Sequence, residues 1–417
     1  MQSSLRYPTK LLYVGLLLML SLVGFIACSD PSGATPSVDT AHPIKIGASI
    51  SLTGDFSADG KALQQGYQLW QDTVNKQGGL LGRPVQFDFL NDNSTQVQVT
   101  TNYQKMIAVN HDDLVVGPFS TSLTIPALLV AKRYNYAFVE GAGTAPKVFS
   151  QGLNDLFSVS LSATSYLKSF VGFILSLPQA QRPHTVAYAT SDDFFTQPQV
   201  DTARAALEQG GVKTVLYDLY PAATTNYTPI AQKIINAHPD IVILGTSSTT
   251  DCVAYMKVFK QQHFNPGAFL ATAGPDQGDQ FTGPLGGAKA VEGIFVPNGG
   301  WFPTVKNYQN DQFVSDYVAK YGGSANDIGA DTVEAYSTMQ VVEQSVTKTH
   351  SVDNAQLIRE LHSDTFSSLE GAVKFADNGE NTVGVAFLFQ WRDGQLIVVY
   401  PNGSAQQNPQ YPKRPWS

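Results

Sequence analysis

Short apolar runs, many of them β-branched, recur through this chain: IKIGASI, VQFDFL, LVVG, YAFVE, TVAYAT, VKTVLYDL, IVILG, AFLATA and GIFV. Between them lie helix-length amphipathic stretches at 61–77, 96–109, 122–133, 163–176, 198–209, 227–237, 249–262, 306–320 and 331–347. In the first of these, Leu63, Tyr67, Trp70 and Val74 recur at helical spacing and make one apolar face. Strands that alternate with helices are joined by crossovers, which predicts α/β architecture: mostly parallel sheets with helices on both faces. Ligands of such sheets bind beyond the carboxyl ends of the strands, so the informative residues are those that follow each strand.

The chain has 417 residues, enough for two domains or lobes with sizeable cores. It opens with MQSSLRYPTKLLYVGLLLMLSLVGFIACSD. Arg6 and Lys10 form a charged start, and Leu11 to Leu22 is an apolar stretch too short to span a bilayer comfortably. Residues 1–27 therefore read as a secretion signal. Phe25-Ile26-Ala27-Cys28 resembles a bacterial lipobox, with Cys28 the lipid attachment point; an ordinary signal with an incidental cysteine is the alternative. Two or three acyl chains suffice for stable anchoring. Residues 28–42, rich in Ser, Pro, Thr and Ala, would be a flexible tether, and 402–417 a disordered C-terminal tail. These features predict an extracytoplasmic, lipid-anchored protein.

The formal net charge is −8, and both charges of the signal are positive, so the body that follows is more acidic still. That excludes a basic footprint for nucleic acid. Past Cys28 the only cysteine is Cys252, which reads as a buried thiol, so no intrachain disulfide is expected. The histidines are scattered, without HExxH or a CxxC pair, and neither a metal site nor a cofactor is expected.

The loop SLTGDFSADGKALQQG, 51–66, joins the first strand to the first helix and carries Gly54, Gly60 and Gly66. Five residues separate Gly54 from Gly60, and Ala62 follows Lys61, so neither the P-loop spacing nor its hydroxyl is present. The dinucleotide fingerprint is also missing. The glycines then serve turns and close helix packing.

The stretch SLTGDFSADGKALQQGYQLWQDTVNKQGGLLGRPVQFDFLNDNS resembles the opening of the type I periplasmic binding proteins, in the leucine/isoleucine/valine-binding branch. Two further blocks, VVGPFSTSLTIPALLVAKRYNYAFVEGAGTAP (115–146) and AVKFADNGENTVGVAFLFQWRDGQLIVVYP (372–401), match in order. The resemblance implies two doubly wound parallel-sheet lobes joined by a three-crossover hinge. Lobe one would comprise 43–160 and 297–369, and lobe two 161–296 and 370–401. A ligand would be clamped between them, and closure about the hinge would trap it.

The same resemblance implies site residues. Ser120, Thr121 and Ser122 follow LVVG at a helix start, and Ala142, Gly143 and Thr144 follow the next strand; both groups would grip a ligand carboxylate. Read from the residues alone, Ser120 or Thr121 could simply cap the helix. Phe56 and Asp59 lie on the opening loop. Binding tyrosines of the amino-acid-binding relatives fall near Asp59, Phe195 and Ser247, and their ammonium-pairing acid falls near Ala273, with Asp276 close by. Glu140 could face the cleft or cap a turn. Trp301 and Phe302 would lie at the hinge or cleft rim, and Tyr336 within lobe-one packing. The losses argue against branched-chain specificity, since a site built for hydrogen bonds loses affinity when partners are missing.

The implied function is a monomeric solute receptor for an ABC importer. It would capture a small carboxylate-bearing solute, an amino acid or an aromatic or other organic acid, and deliver it to a membrane permease. A sensor acting through a separate membrane signalling protein, and a secreted enzyme, are the competing classes. No G-x-S-x-G elbow or close acid pair supports the enzyme.

Overall fold

The structure, a computed structural model, describes residues 42–416. The expected signal, Cys28 and nearly all of the tether fall outside the described residues. Along the chain come β1 (Ile44–Ile50), α1 (Ser57–Lys76), β2 (Val85–Asn91), α2 (Gln96–Ala108), β3 (Leu114–Val116), α3 (Thr121–Arg133), β4 (Phe138–Glu140) and β5 (Leu156–Ser158). Next are α4 (Lys168–Ser176), β6 (Thr185–Asp192), α5 (Thr196–Gln209), β7 (Lys213–Pro221), α6 (Thr228–Asn236), β8 (Ile241–Gly245), α7 (Thr249–Gln261), β9 (Ala268–Ala271) and β10 (Phe295–Asn298). Then follow α8 (Asn310–Tyr321), α9 (Ala330–Thr349), α10 (Asn354–Ser363), β11 (Phe366–Ser368), β12 (Gly371–Val373), β13 (Phe387–Arg392) and β14 (Gln395–Tyr400).

The strands form two large sheets. The first, in the order β2-β1-β3-β4-β5, is parallel throughout. The second, β14-β13-β10-β9-β8-β6-β7, is parallel from β7 to β10 and closes with an antiparallel hairpin. The chain passes between the two bodies three times, after β5, after β10 and before β13. It stays with the first body through Asn381, whose Nδ2 donates to Val159 O at 2.7 Å.

Burial on both faces explains why the strands read as continuous apolar runs. In β1 only Lys45 is exposed. One face of the first sheet meets Leu63, Tyr67 and Trp70 of α1 together with Phe313, Tyr336 and Met339 of α8 and α9. The other meets Val99, Tyr103 and Met106 of α2 and Leu123 of α3. The second sheet is covered likewise, by α6 and α7 on one face and α4 and α5 on the other. Tyr336 thus lies in lobe-one packing and Cys252 is a buried free thiol.

The loop glycines are explained by approach and by backbone. A Cβ on Gly60 would sit 2.2 Å from Ser51 O, and one on Gly66 2.2 Å from Thr332 O, so α1 seats directly on its own loop and on α9. Gly54 adopts φ +87°, which a side chain would strain.

One expectation needs revision. The tail is ordered: Lys413 N donates to Gly267 O at 2.7 Å, Gln410 N to Gln390 Oε1 at 2.9 Å, and Trp416 packs edge-on against Phe269. Tyr411 and Trp416 pack half-buried against the second body and Lys413 is buried there, contacts that composition does not reveal. Trp301 and Phe302 divide between the bodies. Trp301 packs on the first core and donates to Asn310 Oδ1 at 2.7 Å, while Phe302 packs edge-on against Phe387 and Phe389.

Candidate functional site

Each sheet reverses its strand order once, between β1 and β3 in the first and between β6 and β8 in the second. Loops diverge at such points and leave a crevice beyond the carboxyl ends. The two crevices face one another here. Together they enclose an inner chamber of ≈ 480 Å³ and an outer one of ≈ 1080 Å³, both counted with their open mouths. Ser120, Phe195 and Ser247 line both, so the chambers are continuous.

The sequence-predicted residues gather here with one exception. Asp59, Ala142, Thr144 and Asp276 line the inner chamber. Phe56, Thr121 and Ser122 line the outer one. Gly143 lines neither; its N–H is turned to the Glu140 carboxylate. Glu140, fully buried, therefore holds the turn after β4 rather than facing the cleft. Burial pushes its carboxyl up to about 7, against the pull of the Ser158 hydroxyl and the Gly143 N–H.

At the start of α3 the hydroxyls do not cap the helix. Ser120 makes no side-chain cap, its Oγ pairing instead with Ser122 Oγ at 3.1 Å. Thr121 Oγ1 is buried, with no partner. An unpaired hydroxyl at a helix N-terminus, where the backbone dipole is positive, suits an anionic group.

The bodies also cap each other's helices across the crevice. Asp59, in the first turn of α1, accepts from Thr249 N at 3.2 Å and from Thr249 Oγ1 at 2.5 Å, at the N-terminus of α7. In return, Ala330 N donates to Asp276 O at 3.1 Å and Asp331 N to Gln277 Oε1 at 3.4 Å, at the N-terminus of α9. This reciprocal pair latches the two bodies in a closed arrangement.

Carboxyls dominate both chambers, and no Lys, Arg or His among the described residues lines either. In the outer chamber Asp55 and Asp192 are exposed, and the other two have protein donors. Asp193 Oδ1 accepts from Phe195 N and Thr196 N, both at 2.8 Å. Asp251 accepts from Tyr227 Oη at 2.6 Å and from Ser247 Oγ at 3.2 Å. In the inner chamber Asp59 is held by Thr249, and Asp276 Oδ2 accepts from Asn298 Nδ2 at 2.9 Å. Burial raises Asp59 to about 7 and Asp276 to about 6. Asp331 and Glu334, on one face of α9, are pushed well above the carboxylate range by burial and then by neighbouring acids. Glu370, behind them, rises to about 7 through burial.

Reading the sequence missed Asp331, Glu334, Gln277 and Tyr166, all of which line the inner chamber. The available signal was two acids three residues apart near the start of a helix whose other residues are mostly small or apolar.

The sequence profile of the periplasmic binding protein family matches residues 43–395. The chain belongs to this family. Members of the family are solute-binding receptors rather than enzymes, and they work outside the cytoplasm. Among curated relatives, Leu/Ile/Val-binding protein homolog 7 of Brucella melitensis is 22% identical over 407 residues, covering 93% of this chain and 97% of its own. The structure is similar to the branched-chain amino acid transporter's substrate-binding protein LivJ from Streptococcus pneumoniae, in complex with isoleucine. The TM-score is 0.73 at 17% identity, covering 86% of this chain and 100% of that one. It is also similar to an R. palustris ABC transporter solute-binding protein in complex with benzoate, with TM-score 0.72 at 15% identity, covering 89% of this chain and 98% of that one. These likenesses establish the type I binding-protein fold, two doubly wound lobes around a cleft. No helix among the described residues is long and apolar enough to cross a membrane, and no group of His, Cys, Asp and Glu among them is placed to hold a metal ion.

Proposed function

We propose that this protein is the extracytoplasmic receptor of an ABC importer and closes on a small carboxylate-bearing solute, which it hands to a membrane permease. One observation carries the reading. The chambers lie between the two lobes, at facing switch points, and the start of α3 presents there an unpartnered, buried hydroxyl, that of Thr121. The ligand carboxylate would lie against Ser120, Thr121 and Thr144, with the Phe195 ring along its body. The relatives' bound isoleucine and benzoate are compatible with this class of ligand. In this reading Cys28 carries the lipid anchor, the tether spaces a monomeric body from the membrane, and the lobes divide near 160, 296 and 370–381.

The test is a thermal-shift and calorimetric panel of amino acids, aromatic carboxylates and short amides on the protein. A ligand at 100 times its Kd adds ~2.7 kcal/mol of stability. Replacing Thr121 and Thr144 together by Ala should weaken binding of any hit at least tenfold. No hit among these classes, or a hit indifferent to both threonines, would refute the reading.

A further inference from the structure

Three segments carry the chain between the lobes, and one residue meets two of them where they join the first lobe. Glu370 sits at the tip of the β11–β12 hairpin. That tip is a fixed arm: Leu369 N donates to Gln340 Oε1 of α9 at 2.8 Å, and Glu370 N to Ser368 Oγ at 3.1 Å. From this arm Glu370 Oε2 accepts from Ser160 Oγ at 3.0 Å, just past β5, where the first crossing begins. The second crossing arrives through Gly299 and Gly300, both buried, directly after β10. A Cβ on Gly299 would lie 3.0 Å from Glu370 Oε1, and one on Gly300 2.4 Å from Glu370 O. Neither glycine takes a positive φ, so the pair serves close approach to Glu370. Asn307 Nδ2 binds the same place together, donating to Gly300 O at 3.2 Å and to Leu369 O at 2.7 Å. The third crossing leaves from beside this knot, since Asn381 is tied to Val159, the neighbour of Ser160.

Lobe closure places its backbone change on a few residues between rigid anchors. We propose that Glu370 is the positioning residue of this hinge: it holds Ser160 and the Gly299-Gly300 pair against one rigid arm of the first lobe, fixes the pivot about which the lobes close, and so keeps the cross-lobe latch engaged. Glu370 lines neither chamber and does not touch the solute. It lies directly behind the inner chamber, however, because Glu334 faces both that chamber and Glu370. The role concerns the closing motion and is independent of which solute is captured.

The experiment is amide hydrogen exchange on the purified, unliganded protein in slightly acidic buffer. The reporters are Thr249 N–H and Ala330 N–H, which donate across the crevice to Asp59 and to Asp276 O and exchange when the latch opens. Amides of β1 and β8, inside the two sheets, report global unfolding instead. Glu370→Ala leaves the buried Ser160 hydroxyl without its acceptor and should speed exchange at both reporters about tenfold or more relative to the strand amides. Glu370→Gln should exchange like the parent. Burial keeps the Glu370 carboxyl protonated up to about 7, and glutamine reproduces the size and the acceptor of that neutral form. Gly300→Ala, whose new methyl pushes against the arm's backbone, should repeat the Glu370→Ala effect with the carboxyl still present.

Reporters indifferent to Glu370→Ala, equal losses at reporters and strands, or a Gln variant as open as the Ala variant would each overturn the role. Reporters that are already unprotected in the parent would overturn it too, since no closed arrangement would then be held for Glu370 to keep. None of these outcomes touches the solute panel, so the receptor reading stands or falls separately.

Discussion

The two chambers are lined by acids in similar measure yet use them in opposite ways. In the outer chamber, Asp193 and Asp251 are saturated by backbone N–H groups and by hydroxyls of Tyr227 and Ser247, while Asp55 and Asp192 face water. These acids stabilise turns and helix starts. In the inner chamber, Asp331 is just as polar but is buried with an oxygen unpartnered. The difference teaches that acids of one residue type beside neighbouring cavities can differ in the donors the protein has assigned to them: Asp193 and Asp251 have theirs, whereas one buried oxygen of Asp331 has none.

The comparison can be broken most severely at the floor that holds the inner acids in place. In Gly66→Val the new Cβ would lie 2.2 Å from Thr332 O and lever α1 from α9. Overpacking of this kind costs ~1–3 kcal/mol, so denaturant melts should show a clear loss of stability together with loss of binding. Next comes an outer acid. Asp251→Ala strands the Tyr227 hydroxyl, and the expected loss is ~1–3 kcal/mol of stability, measured on the unliganded protein. If instead it melted no lower than the parent, the division between chambers would be wrong.

A third check uses pH. Asp59 and Glu370 hold their protons to about 7 in the closed fold, whereas unfolded carboxyls lose theirs near pH ~4. Between those values the folded state binds more protons, so the stability of the unliganded closed form falls as pH rises through ~4 to about 7. Melting at pH 5 should exceed melting at pH 8, and Asp331→Asn should shrink the gap. A melting point that climbs with pH would show the inner acids to be paired after all. The smallest effect belongs to Asp55, exposed at the outer rim. Asp55→Asn should shift stability by no more than ~0.5 kcal/mol, and a larger change would reveal a role that the outer chamber does not display.

The strands and helices were readable because their periodicities are local: IKIGASI and the helix over 57–76 announce themselves within a few residues. The residues after the strands were readable too, since strand ends in parallel sheets are where loops converge. Asp331 and Glu334 were not. Their meaning comes from Asp276 and Gln277 of the other lobe closing over the start of α9, a contact across some fifty positions of sequence. In isolation an acid in the first turn of a helix reads as a favourable charge near a dipole. Glu140 posed the converse difficulty. A carboxylate at a strand end could equally face the cleft or cap a turn, and the Gly143 N–H that decides for the turn is visible only in three dimensions. The tail misled for a related reason, because Trp416 finds Phe269 only once β9 exists.

That fastening of the tail gives the molecule a geometry worth exploiting. Residue 43 enters at the amino end of β1 in one lobe, and Lys413 is tied to Gly267, at the amino end of β9 in the other. The two ends of the described chain therefore ride on separate rigid arms, each on the side remote from the cleft. A fluorophore pair placed at 43 and 416 would act as a caliper, reporting the swing of one lobe against the other without a label anywhere near the solute.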